Sequence, residues 1–229
     1  MNLGHNDCTL AHNDNSEIQR QTLMTTDTDK LAALEELATV TRELINNVVQ
    51  VNADTEDILK LVNDVTSLNQ KLATLPRGRA LPHYDLSLAK TNTNHTLPYS
   101  PVCGPYNPVA PPVDMHYDAE LDQLIGRVSC GLPYEGPPNM VHGAIIAGIY
   151  DQLLALVSSC TGKPSFTAYL HTDFRKPTPL YKELTFRAWL DKIDGRKMTI
   201  KGHCTLDGEI LTETEGLFIQ LQAIQLQQD

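Results

Sequence analysis

The chain has 229 residues, 41% hydrophobic and 20% charged, which is enough apolar material for one good core plus an appendage. Its net charge of −10 argues against nucleic acid as a general partner, and it means that an anionic ligand needs a local basic patch. Five scattered cysteines (Cys8, Cys103, Cys130, Cys160, Cys204) without a Cys-x-x-Cys pair read as reduced thiols of a cytoplasmic protein, not a disulfide framework or zinc site; an N-terminus carrying Asp7, Asp14 and Glu17 indicates no secretory or organellar leader.

Residues 1–26 are polar and lack periodicity, so a disordered or weakly ordered tail is expected. A helical hairpin is predicted over residues 27–75. From Asp29 to Val51 the positions Leu31, Leu34, Ala38, Thr41, Ile45 and Val48 step by threes and fours. Asp54 or Thr55 can cap a second helix that carries Ile58, Leu61, Val62, Val65, Leu68, Leu72 and Leu75. Two such apolar stripes cannot both stay in water, so the hairpin is expected to dock on the body that follows, as a strut on its own subunit or an arm reaching a neighbour. Residues 76–112 form a Pro-rich connector, expected to be extended and unable to pair as a central strand.

Val113–Tyr117 and Leu124–Cys130 read as a hairpin turning through Asp118–Asp122. The stretch from Val141 to Val157 then reads as a helix apolar all the way round, expected to be buried on every side. Asp151 interrupts it, and a carboxylate in such a place is costly unless partnered or used. The run is too short for a membrane span. His142-Gly143 opens the helix, where free backbone N–H groups and the positive end of the dipole gather. The segment alone fits an acyl-transfer site and a plain core helix equally well. Downstream, strands are predicted at Ser165–Phe174, Glu183–Ile193, Lys197–Leu206 and Glu209–Gln222, with hairpin signals at Asp194-Gly195 and Asp207-Gly208. One long helix before an antiparallel meander implies an α+β fold with a sheet wrapped around the helix.

These elements, with His142 nine residues before Asp151, Thr167-Ala168-Tyr169-Leu170 on the next strand, and Phe174-Arg175-Lys176-Pro177-Thr178-Pro179-Leu180 at its end, resemble the hotdog-fold acyl-CoA thioesterases, in particular the phenylacetate-type (PaaI-like) and THEM-type branch. Asp194-Gly195-Arg196-Lys197 and Glu213-Thr214-Glu215-Gly216-Leu217-Phe218 are similar to the same branch. The resemblance covers about the last 130 residues, a normal domain size, and marks 113–229 as a hotdog thioesterase domain. The chain departs from the branch at Ala144, where a second glycine is usual.

The resemblance implies hydrolysis of a thioester to free acid and coenzyme A, at a site shared across a dimer interface. In that reading the Gly143 N–H faces the developing oxyanion. Asp151 is the base that activates water, or the direct nucleophile. Thr167 holds the water or the carboxylate; from the strand pattern alone it is an ordinary β-branched residue. His142 either contacts substrate or holds the helix start, and Asn139 either orients substrate or shapes the turn beside Pro137-Pro138. Gly143 and Asp151 lie roughly 12 Å apart along one helix, so one carbonyl can meet both only if two chains contribute. A homodimer or homotetramer is therefore expected. Arg175, Lys176, Arg196 and Lys197 are the candidates for the phosphates of the acyl-CoA substrate. No P-loop or dinucleotide fingerprint is present, and the chemistry calls for no cofactor or metal. Of the other histidines, His171 is placed on the Thr167 face of its strand. Two alternatives remain: a non-catalytic acyl-CoA-binding or regulatory module, and a hotdog hydratase or dehydratase, against which the order of His142 and Asp151 argues.

Overall fold

The computed structural model describes the backbone of residues 14–221 and the side chains of residues 27–221. Cys8 and the first half of the expected tail lie outside the described residues. Two helices come first, α1 (Asp14–Gln50) and α2 (Thr55–Thr74). Strands β1 (Asp114–Asp118) and β2 (Gln123–Ser129) precede the central helix α3 (Gly143–Ser159). The remaining strands are β3 (Ser165–Phe174), β4 (Glu183–Asp194), β5 (Lys197–Leu206) and β6 (Glu209–Gln220). They form one antiparallel sheet in the order β1-β2-β4-β5-β6-β3, which leaves β1 and β3 as edges.

Turn chemistry sets the meander. Asp207 and Gly208 both take positive φ between Leu206 and Glu209, the pattern of a two-residue type I′ hairpin. Between Asp194 and Lys197 only Gly195 is left-handed, so that turn is the type II′ form. Alternation then sends Leu184, Phe186 and Ala188 of β4 and Met198, Ile200 and Cys204 of β5 to the inner face, all buried. Against them lie Ile146, Ile149, Tyr150, Leu153, Leu154, Leu156 and Val157 of α3. Tyr150 packs edge-on to Phe186, ring centroids 5.1 Å apart, and its hydroxyl donates to the Thr212 carbonyl at 3.0 Å. Helix and sheet approach so closely that a Cβ on Gly216 would stand 2.8 Å from Leu154 Cδ2.

Three expectations need correction. The first concerns α3, which is not buried all round: Ala144 and Asp151 are exposed, and Ala147, Gly148, Gln152 and Ala155 are only half-buried. The connector covers part of this stripe, with Ser100 donating to Gln152 Oε1 at 2.8 Å and Val102 beside Gly148, and the rest is open because one sheet can wrap only one side of a helix.

The second concerns the connector, which is not extended. Short 3₁₀ turns at Leu86–Leu88 and Thr93–His95, and backbone bonds such as Asp85 N–H to Thr96 O (2.9 Å) and Tyr106 N–H to Pro98 O (3.0 Å), fold it into successive turns on the body. Ala89, Thr93, Thr96, Ser100, Cys103 and Ala110 are buried there. Proline still keeps it out of the sheet.

The third concerns the N-terminal helices. Helix α1 begins at Asp14, inside the expected tail. It docks on the body through Ala38, which is buried, and through Arg42, whose Nε donates to Ala110 O at 2.9 Å and whose Nη2 donates to Asn107 O at 3.3 Å. No residue of α2 is buried, so the two helices do not make a packed hairpin within one chain. No helix among the described residues is long and apolar enough to cross a membrane.

Candidate active site

The loop before α3 is built on close approach. Gly136 N–H donates to Met140 O and Met140 N–H to Pro137 O, both at 2.9 Å, and a Cβ on Gly136 would meet His142 Cα at 2.8 Å. Asn139 sits at φ 62, a left-handed position that asparagine tolerates, with its N–H donating to Glu135 Oε1 and its carbonyl accepting from Leu180 N–H. This is the turn role; its exposed side chain stays available above the loop. A short bridge Glu135–Val141 closes the loop on itself, and Met140–Pro179 ties it to the chain that follows β3.

His142 is the N-cap of α3. Its Nδ1 accepts from the Ala144 N–H at 3.0 Å, so the ring is held by the helix start with its other nitrogen outward. Its carbonyl accepts from both Ile145 and Ile146 N–H. The Gly143 N–H is left over, with no hydrogen-bond acceptor among the described residues. It stands at the positive end of a 17-residue helix, the arrangement an oxyanion donor needs. Phe174 closes over it: a Cβ on residue 143 would lie 3.3 Å from the Phe174 ring. Ala144, by contrast, is exposed, so its extra methyl displaces nothing within the chain.

Two turns further on, the Thr167 hydroxyl donates to Asp151 Oδ1 at 2.9 Å. Both residues are exposed in the single chain. The acid is oriented, carries one hydrogen bond, and keeps its other oxygen for a water or a carbonyl carbon. Roughly 12 Å of helix separates it from Gly143, and β3 spans the same gap, with Thr167 near its start and Phe174 at its end.

The basic candidates fall into two groups. Arg175 and Lys176 follow β3 and are engaged with Glu213 and Glu209. Arg196 and Lys197 lie at the other end of the sheet, since Lys197 pairs with Ile219 and Ile219 with Phe166. Arg196 Nε donates to the Gln220 carbonyl at 3.1 Å. The two groups therefore do not make one patch within one chain. His171 is a correction. A bulge between Thr167 and Tyr169 reverses the alternation, so His171 faces Glu215 on the outer side, 3.3 Å from Asp173.

Phe174 and Gly136 are features of the candidate site that spacing did not single out. A glycine wedged between Glu135 and Pro137 was the available signal for the second. The described thiols are no rival nucleophiles. Burial pushes Cys130 and Cys204 up to about 12 and Cys160 up to about 11, and raises Cys103 as well.

A profile of the thioesterase superfamily matches residues 138–211, which include the loop, α3 and most of the meander. Acyl-coenzyme A thioesterase THEM4 of Bos taurus is 37% identical over 94 residues, covering 40% of this chain and 38% of that protein. The THEM4 protein of Rattus norvegicus is 32% identical over 111 residues, 47% of each. The matched segments thus span less than half of these relatives. The crystal structure of a thioesterase superfamily protein aligns with a TM-score of 0.72 and 28% identity over 81% of this chain and 90% of the other. A helix wrapped by an antiparallel sheet, a capped His-Gly helix start and an agreement in both sequence and fold lead to one statement: residues 138–211 of this chain match the thioesterase superfamily, and the fold is of the hotdog type.

Proposed function

We propose that the protein hydrolyses acyl-CoA thioesters to free acid and coenzyme A, at a site made by two copies of the chain. The observation that carries this reading is the division of labour along α3: an unpaired Gly143 N–H at one end, and an Asp151 carboxylate aimed by Thr167 at the other. Strand β3 supports how the halves meet. It is a ten-residue edge with no partner on one side, and Phe166, Tyr169 and Phe174 are 67%, 46% and 55% exposed along it. Antiparallel pairing of two such edges sets the Phe174 end of one chain beside the Thr167 end of the other. Gly143 of one copy then faces Asp151 of its partner.

The thioester carbonyl oxygen accepts from the Gly143 N–H. Asp151 takes a proton from water, and the oxygen attacks the carbonyl carbon. As the tetrahedral adduct collapses, the C–S bond breaks and the proton held by Asp151 passes to the coenzyme A sulfur. Direct attack by Asp151 uses the same geometry: it expels the coenzyme A thiolate and leaves an acyl-aspartyl anhydride that water then hydrolyses. The same pairing brings Arg175 and Lys176 of one copy to the mouth alongside Arg196 and Lys197 of the other. For phosphate to bind, Arg175 and Lys176 exchange Glu213 and Glu209 for it. Asn139 lies on the loop above this mouth. A dimer, or a tetramer built from dimers, follows, and the free, scattered thiols support a reducing compartment such as the cytoplasm.

The test is thiol release from short, long and aromatic acyl-CoAs by the purified protein. Hydrolysis that disappears in Asp151→Asn supports the proposal. Binding of acyl-CoA without hydrolysis of any of them would make the protein a non-catalytic binding module.

A further inference from the structure

Helix α2 carries a seam that the other described residues do not bury. Ile58, Leu61, Val65, Leu68, Leu72 and Leu75 follow one another at intervals of 3, 4, 3, 4 and 3, so they form a strict heptad stripe over the whole helix and its C-cap. None of them is buried; Leu61, Leu68 and Leu75 are 52%, 47% and 57% exposed. A stripe this regular exceeds what a lone solvated helix needs, and its period of 3.5 residues is that of a helix paired with another helix.

The charges flanking the seam identify the partner. Asp64 and Lys71 lie on one flank, one heptad apart, and neither has an ion-pair partner among the described residues, whereas Lys60 on the outer surface already bridges Glu56 and Asp57. Asp64 and Lys71 are too far apart to pair with each other, about 10 Å along the axis. When two copies of α2 pack antiparallel, Ile58 faces Leu75 of the second copy, Leu61 faces Leu72 and Val65 faces Leu68. In that register Asp64 faces Lys71 of the second copy twice, once on each side of the two-fold axis. A parallel pair sets Asp64 against Asn69 and Lys71 against Pro76, with no opposite charges meeting.

We propose that α2 is a self-association arm, pairing antiparallel with α2 of a second copy of this chain through the Ile58–Leu75 seam. The contact is separate from the β3 edge and does not depend on the hydrolytic reading. Disulfide trapping tests it in the full chain, in a Cys8→Ser background, with the four described cysteines largely buried. Val65→Cys and Leu68→Cys proteins are prepared separately, mixed, and mildly oxidised, and the bond is mapped by peptide mass spectrometry. The proposal expects a 65-to-68 cross-link between chains in the mixture, well above the yield from either protein alone. Adding Asp64→Lys or Lys71→Asp to both proteins should cut the yield several-fold, and the double exchange Asp64→Lys/Lys71→Asp should restore it. Asp64, Leu68 and Lys71 are exposed and Val65 is half-buried, and thermal melting confirms that each variant is folded. Absence of the mixed cross-link, dominance of a 65-to-65 cross-link from a parallel pair, or failure of the double exchange to restore it would each overturn the proposal.

Discussion

Asp151→Asn separates chemistry from structure because the substitution changes so little else. Asn keeps the shape of the side chain and an Oδ1 that accepts from the Thr167 hydroxyl, now 2.9 Å from Asp151. The residue is exposed, so stability should move by no more than about 0.5 kcal/mol. What the amide lacks is the ability to take a proton from water or to attack carbon. Turnover should fall by at least ~10²-fold, which is roughly 2.7 kcal/mol of transition-state stabilisation. Thr167→Ala removes only the orienting bond and leaves the carboxylate in place, so its loss should be nearer about tenfold. The assay is initial-rate thiol release alongside a thermal melt of each variant. A folded Asp151→Asn protein with near-normal turnover would refute the assignment, and a larger loss in Thr167→Ala would mean the two roles are exchanged.

Three further outcomes follow from the packing. Arg42→Ala should loosen α1 by removing donors to two carbonyls, lowering stability by roughly 1–3 kcal/mol in denaturant melts; Arg42→Lys should not rescue it, because one ammonium cannot reproduce the guanidinium fork. Leu154→Ala should cost about 2–5 kcal/mol, since Leu154 is fully buried and the sheet at Gly216 has no side chain to fill the space. Partial burial, helped by the Arg187 charge, holds His203 below the ordinary histidine value of 6.5. Its contribution to stability is therefore complete above about pH 6.5 and is lost as pH falls through the folded value. Melting temperature should drop less between pH 7 and pH 5 in His203→Gln than in the parent, and an unchanged drop would contradict this.

Sequence periodicity went furthest where one local rule decides the outcome. The Asp-Gly pairs and the period-two alternation located the meander to within a residue or two, and the His-Gly step located the start of α3. It failed where tertiary contact decides. An apolar helix looks buried on all sides in one dimension, but one sheet leaves the Ala144–Asp151 stripe open. Prolines suggested an extended connector, yet hydrogen bonds among Asp85, Thr96, Pro98 and Tyr106 fold it into turns. A one-residue bulge after Thr167 moved His171 to the opposite face, and no composition signal marks a bulge at Ala168. Of the candidate site, Asp151 and Gly143 stood out in sequence, Thr167 only through the family resemblance, and Phe174 entered only because the fold returns the end of β3 to the start of α3.

Hybrid complementation tests the shared site most directly. Gly143→Pro deletes the free N–H at the first helical position, where proline is well tolerated, and His142 already has the φ −63, ψ 134 backbone that a following proline requires. Asp151→Asn deletes the acid. Each homogeneous protein should be nearly inactive. When subunits are exchanged in a 1:1 mixture, half of the dimers contain both variants, and each of these holds one intact site, so activity should return to about one quarter of the parent value. Recovery on that scale is the predicted result; a mixture that exchanges subunits yet stays as inactive as its components, or a parent protein fully active as a monomer in light scattering, would contradict a site built from two chains.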